Sequence, residues 1–206
     1  MNSNTNPAAK PVGALRVLLI ADTDPQLPAG LTDYVQARHV DIVITVGDLH
    51  AGLLKGISEQ PLAMGVYGNH CNGTYLDDLG MINLHRRRIQ VAGISFVGLE
   101  GCVRYKDDPH DILYTQDEYR DIVADLPAAD VLVTHCPPLG LNDHRDPAHV
   151  GIAALRDWVH RNQPSLIVHG HTYPRPPQTR FGTAQVAYVH GARVLDLIRR
   201  APEGGP

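Results

Sequence analysis

Five short apolar runs constrain this chain more than any other feature: Arg16–Ala21, Asp41–Val46, Leu62–Tyr67, Val131–Thr134 and Leu166–Val168. Each has the length of a strand and is dominated by aliphatic residues. None alternates polar with apolar, so each reads as a strand covered on both faces. Helix-like stretches lie between them. Thr32–His39 is one. Thr115–Ala124 is a second, with Thr115 and Glu118 at the spacing of a capping box. Ala148–Asn162 is a third, with Ile152, Leu155 and Val159 on one stripe. Two hairpins are expected besides. Arg88–Val91 pairs with Ile94–Gly98 across Ala92-Gly93, and Val186–Val189 pairs with Arg193–Ile198 across His190-Gly191-Ala192. This alternation predicts an α/β fold of two packed sheets with outer helices.

A chain of 206 residues fits one domain at a prior of roughly 150 residues each. That domain is expected over 14–200, with loose tails at 1–13 and 201–206. With 43% hydrophobic and 19% charged residues, the chain can build a sizeable core, which excludes global disorder. The net charge of −4 and a pI near 6.3 exclude a generally basic nucleic-acid coat. At 5% aromatic residues, base stacking has few platforms, so nucleic acid is not the favoured partner. No apolar run approaches the roughly 20 residues of a membrane span, and no membrane partner is expected. Cys71, Cys102 and Cys136 show no metal-type pairing, and the first fifteen residues lack an apolar leader core. A reduced, cytoplasmic protein is the expectation, with each cysteine a small buried hydrophobe.

The twelve histidines matter most where they follow the apolar runs. The first run ends in Asp22-Thr23-Asp24, and the second in Gly47-Asp48-Leu49-His50. The third ends in Gly68-Asn69-His70, the fourth in His135-Cys136-Pro137-Pro138, and the fifth in His169-Gly170-His171. Sites in open α/β sheets form beyond the carboxyl ends of strands, so these residues are expected to converge. Taken singly, an Asp after a strand is often a helix cap and a Gly-Asn pair often a turn. Five such endings in series call for more. Carboxylates, an amide and imidazoles gathered at one edge are reconciled by divalent cations with mixed oxygen and nitrogen ligands.

The order D-x-[HD], GD, GNH, strand-end His and HGH, spanning Asp22 to His171, resembles the calcineurin-like metallophosphoesterase family. The resemblance implies a four-layer α/β/β/α sandwich of two mixed sheets with a dinuclear site at the C-terminal strand ends. It implies a first metal on Asp22, Asp24 and His171, a second on Asn69, His135 and His169, and Asp48 bridging the two. His70 would stand near the leaving group as the catalytic acid. His50 reads equally as a supporting residue and as an ordinary loop histidine. The implied cofactors are two divalent ions per chain, and the implied chemistry is attack of a metal-bridging hydroxide on a phosphodiester or phosphomonoester.

Three positions depart from the family pattern. Asp24 stands where His is usual, and a carboxylate there favours Mn²⁺, Fe or Mg²⁺ over Zn²⁺, with Mn²⁺ first. Cys71 follows His70 where an acid is common, so the partner that orients His70 must come from elsewhere; Asp77 and Asp78 are the candidates. Tyr173 stands where a further His is frequent. Substrate contacts are expected from Arg104 and His149, in stretches that also hold Tyr105, Lys106, His110, His144 and Arg145. The partner is then a small phosphoester or a nucleotide. The reading is a metal-dependent phosphoesterase. A nuclease or cyclic nucleotide phosphodiesterase is the alternative within that class. A non-catalytic, metal-binding protein-interaction scaffold is the alternative outside it.

Overall fold

A computed structural model of the chain describes Lys10 and residues 13–198. The expected tails lie outside the described residues, apart from Lys10 and Gly13. Among the described residues, strands and α-helices follow one another in this order: β1 (Ala14–Ala21), α1 (Leu31–Arg38), β2 (Ile42–Thr45), β3 (Ala63–Gly65), α2 (Tyr75–Asp78), β4 (Ile82–Asn83), β5 (Ile89–Val91), β6 (Ile94–Leu99), β7 (Cys102–Val103), β8 (Leu113–Tyr114), α3 (Gln116–Ala124), β9 (Val131–Thr134), α4 (Ala153–Asn162), β10 (Leu166–His169), β11 (Arg180–Phe181), β12 (Ala184–Tyr188) and β13 (Gly191–Ile198). One sheet has the order β13-β1-β2-β3-β4 and the other β11-β12-β10-β9-β6-β5; β7 and β8 form a small third sheet.

The five apolar runs are the parallel strands β1, β2, β3, β9 and β10, and their lack of alternation has a direct cause. Val17, Leu19 and Ala21 of β1 face the other sheet, meeting Phe96, Val131, Val133 and Val168 in the central core. Leu18 and Ile20 face outward onto α1 and α2, with Leu31, Val35, Tyr75 and Leu76. The outer face of the second sheet carries Val97, Leu132 and Ile167 under Tyr119, Val123, Leu155 and Trp158 of α3 and α4. Both faces of the central strands of each sheet are therefore buried, and the four-layer α/β/β/α sandwich is the observed architecture.

The capping box is present. Thr115 Oγ1 accepts from the Glu118 amide at 3.1 Å, and Glu118 Oε2 accepts from the Thr115 amide at 2.6 Å. The β5–β6 hairpin forms as expected. The second hairpin does not. β12 pairs parallel with β10 in one sheet, whereas β13 pairs antiparallel with β1 in the other. Alternation along a strand cannot choose its partner; a free edge does. β1 offers one along its whole length, and Arg16 sits opposite Asp196 in that register. The Arg16 guanidinium reaches both Asp196 oxygens, Nε at 2.7 Å and Nη2 at 2.8 Å. Residues 189–190 thus carry the chain from one sheet to the other, which brings His190 over the strand ends.

Helix α4 begins later than its stripe indicated. The Ile152 amide donates to Pro137 O, and the Leu139 amide to Ile152 O, so this part of the stretch is extended rather than helical. Trp158 is 1% exposed and its indole donates to Leu126 O at 3.0 Å. Trp158→Ala should destabilise the fold by about 3–5 kcal/mol, measured as a lowered urea midpoint at constant slope. A loss below about 1 kcal/mol would mean that α4 does not seal the outer core.

Candidate metal centre

Three of the strand-end residues have left-handed backbones: Asp22 (φ 66), Asp48 (φ 53) and His171 (φ 67). Such a conformation costs a non-glycine residue on the order of 1–3 kcal/mol, and outliers of this kind cluster at functional sites. Here each turns the chain sharply past a strand end and folds a side chain back over it. Neighbouring glycines make room. A Cβ at Gly68 would collide with the Asp48 carboxylate, and one at Gly47 (φ +96) with His135 Nδ1 and the Gly68 backbone.

His135 is the centre of the cluster and is fully buried. Its Nδ1 lies 2.8 Å from Val46 O, which can only accept, so Nδ1 carries a proton. Its Nε2 faces two oxygens, Asn69 Oδ1 at 3.1 Å and Asp48 Oδ2 at 3.4 Å. Asp22 Oδ1 lies 3.8 Å from Nδ1. Burial alone would depress this imidazole, but Asp48 and Asp22 outweigh it and hold the pKa up to about 9. Burial would likewise raise Asp48, yet His135 and the His70 amide draw it down to about 2. In Asp22, whose side chain is 2% exposed, burial wins and the pKa is raised.

His171 donates from Nε2 to Ala148 O at 2.8 Å, which leaves Nδ1 as the unprotonated nitrogen. Burial and then the adjacent His135 push it down to about 3, so the ring is neutral. Ligand atoms of Asp48, His135 and His171 lie within 4.8 Å of one another. Two ligands on one ion, each about 2.1 Å from it, stand roughly 3.0–3.4 Å apart. The Asn69–His135 and Asp48–His135 separations match that spacing. A neutral His135 would aim a lone pair at two oxygens; a cation would resolve this as a proton now does. The buried Asn69 Nδ2 has no partner, as expected of an amide positioned for its oxygen. The donor set therefore fits a divalent cation.

Other expected site residues make different contacts. Asp24 is exposed, and its Oδ1 accepts from the Gln26 amide at 2.9 Å. His169 is buried with both ring nitrogens engaged: Nδ1 at 3.0 Å from Gly170 O and Nε2 at 2.8 Å from Asn142 Nδ2. Burial pushes it down to about 4. As it stands it presents no free lone pair, and it reads as a support for the turn that carries His171. Arg104 is tied to Leu113 O and Glu118 Oε2. His50 caps its own short turn through the Gly52 amide. His149 does reach the site: its ring centroid is 5.3 Å from that of His171, and its Nδ1 is 2.7 Å from Asp146 Oδ1.

His70 is exposed at the mouth, its amide donating to Asp48 Oδ1 at 2.8 Å. Its orienting acid is neither Asp77 nor Asp78 but Asp111, whose two oxygens are each 3.4 Å from His70 Nδ1. Lys106 holds Asp111 from the other side at 2.7 Å. Asp111, Asn142 and His190 were not singled out from sequence. The stretch around Arg104 and Lys106 was, and Asp111 lies within it. Cys71 donates toward Leu49 O and accepts from the Gly68 amide, and burial lifts its pKa to about 11, so it lines the turn as an inert thiol.

No family model matches the chain, and no curated protein matches it. Solved structures do. One crystal structure aligns over 89% of this chain and 95% of its own at 16% identity, with a TM-score of 0.66. Another, TT1561 of Thermus thermophilus, aligns over 84% of this chain and 88% of its own, also at 16% identity, with a TM-score of 0.58. The likeness is one of fold. Among the described residues, no helix is long and apolar enough to cross a membrane.

Proposed function

We propose that this chain is a metal-dependent phosphoesterase. The observation that carries the reading is the convergence of Asp48, His135 and His171, from strand ends of both sheets, within one ligand sphere. Asp22 and Asn69 flank them. The chemistry that bound divalent cations supply is Lewis acidity toward a phosphoryl group and its attacking water. Asp22, Asp48, Asn69, His135 and His171 would hold those ions. Val46 O and Ala148 O fix the tautomers of His135 and His171, which sets the nitrogen each presents. His70, with Nδ1 toward Asp111, keeps Nε2 as the nitrogen from which a leaving oxygen takes its proton. His149, whose ring lies beside that of His171, would contact a phosphate oxygen or the leaving group. The GNH histidine favours phosphodiesters over monoesters, and Mn²⁺ over the softer Zn²⁺ suits a centre with two carboxylates and an amide.

The test is metal analysis of the purified chain followed by a Mn²⁺-supplemented screen of phosphomonoesters, linear diesters and cyclic nucleotides. The expected result is bound metal with diester hydrolysis that a chelator abolishes and Mn²⁺ restores. A chain that binds no divalent ion and cleaves none of these esters would overturn the reading.

A further inference from the structure

The structure leaves one half of the implied dinuclear site short of one ligand. His135 and His171 gather around Asp48. Around Asp22 the sequence offered Asp24, which is exposed and engaged with its own turn. Tyr173 is 55% exposed and lies with its ring edge-on to His190. Yet the Asp22 carboxylate is almost wholly buried. Both its oxygens accept the His171 amide, at 3.3 and 3.2 Å, and a buried carboxylate is stabilised further by a cation or a second donor.

A side chain does occupy that side. His190 Nδ1 lies 3.7 Å from Asp22 Oδ2, on the oxygen opposite the one that faces His135. His190 follows β12 at the point where the chain leaves one sheet for the other, and Gly191 (φ +79) makes the turn. Its ring is held edge-on by Tyr173, centroid to centroid at 5.4 Å. The side chain is 45% exposed, so it can adjust by a few tenths of an ångström toward the spacing of roughly 3.0–3.4 Å that two ligands on one ion adopt.

We propose that His190 is the imidazole ligand of the cation held at Asp22, taking the place that the first motif's Asp24 leaves open. The inference rests on the metal-centred reading and refines it. One ion would be held by Asn69 and His135 with Asp48, and the other by Asp22, His171 and His190 with Asp48. Tyr173 then acts as a positioning residue for His190, in contact with its ring rather than with the metal.

The test reads metal binding directly. Mn²⁺ titration by calorimetry, with metal counted after desalting, is run on the unaltered chain and on His190→Ala, His190→Asn and Asp24→Ala. Co²⁺ substitution adds a spectroscopic readout of nitrogen ligation. The unaltered chain should bind two equivalents. His190→Ala should keep one and bind the second more than about tenfold weaker, with the visible band of one Co²⁺ altered. Asp24→Ala should keep both equivalents. His190 is exposed, and an unchanged circular dichroism spectrum establishes that the variants fold.

Two full equivalents of unchanged affinity and an unchanged Co²⁺ spectrum in His190→Ala would overturn the inference while leaving the metal-centred reading standing. So would loss of one equivalent in Asp24→Ala alone. Absence of any bound metal in the unaltered chain would overturn both together, and that outcome is recognisable because it does not depend on a variant.

Discussion

Asp48→Asn should lower the rate of phosphoester hydrolysis by about 10² or more, with loss of metal from the purified chain. Asp48 lies between His135 and the turn that carries His70. Its Oδ2 lies 3.4 Å from His135 Nε2, and its Oδ1 accepts the His70 amide. With its pKa drawn down to about 2, it carries its full charge throughout the range in which an enzyme would be assayed. An asparagine fills the same volume beside Gly68 and can still accept the His70 amide, so the backbone turn is preserved. What it removes is the negative charge and one ligand oxygen. The measurement pairs kcat/KM on a diester with metal content. Undiminished activity together with unchanged metal would mean that Asp48 belongs to the turn and not to the chemistry.

His70→Ala should slow an alkyl or nucleoside ester by roughly 10²–10⁴ and an activated aryl ester far less. A ribose alkoxide leaves poorly without a proton, whereas a nitrophenolate leaves well unprotonated. The contrast between two substrates isolates proton donation from any general loss of binding. The structure sharpens this expectation, because Asp111 supplies the acid that Cys71 cannot. Asp111→Asn should therefore reproduce part of the same leaving-group-dependent loss, while metal content stays unchanged in both variants. An equal, small loss on both substrates would make His70 a turn residue. An equal, large loss accompanied by loss of metal would make it a ligand.

Much of the fold was legible because burial on both faces leaves a local mark. Val131–Thr134 carries no polar residue before its end, and such a run fits only a strand covered above and below. The Thr115 capping box was legible for the same reason: donor and acceptor lie three residues apart, within the reach of sequence spacing. The second hairpin was not legible. β12 and β13 are adjacent in sequence, but β13 pairs with the free edge of β1, where Arg16 and Asp196 meet across 180 residues of chain.

The candidate site divides along the same line. The residue types at the strand ends are local, so the sequence alone determined that oxygen and nitrogen donors would meet at the edges of the sheets. Which of them present a lone pair was decided by tertiary structure. His169 and His171 are two residues apart and look equivalent in sequence. Asn142 and Gly170 O occupy both nitrogens of the first, while Ala148 O takes only one nitrogen of the second. His70 finds its acid 41 residues on, and Asp22 faces a histidine from the far end of the fold. A ring nitrogen binds a cation or holds a proton according to what its partner nitrogen touches, and that partner comes from a distant segment.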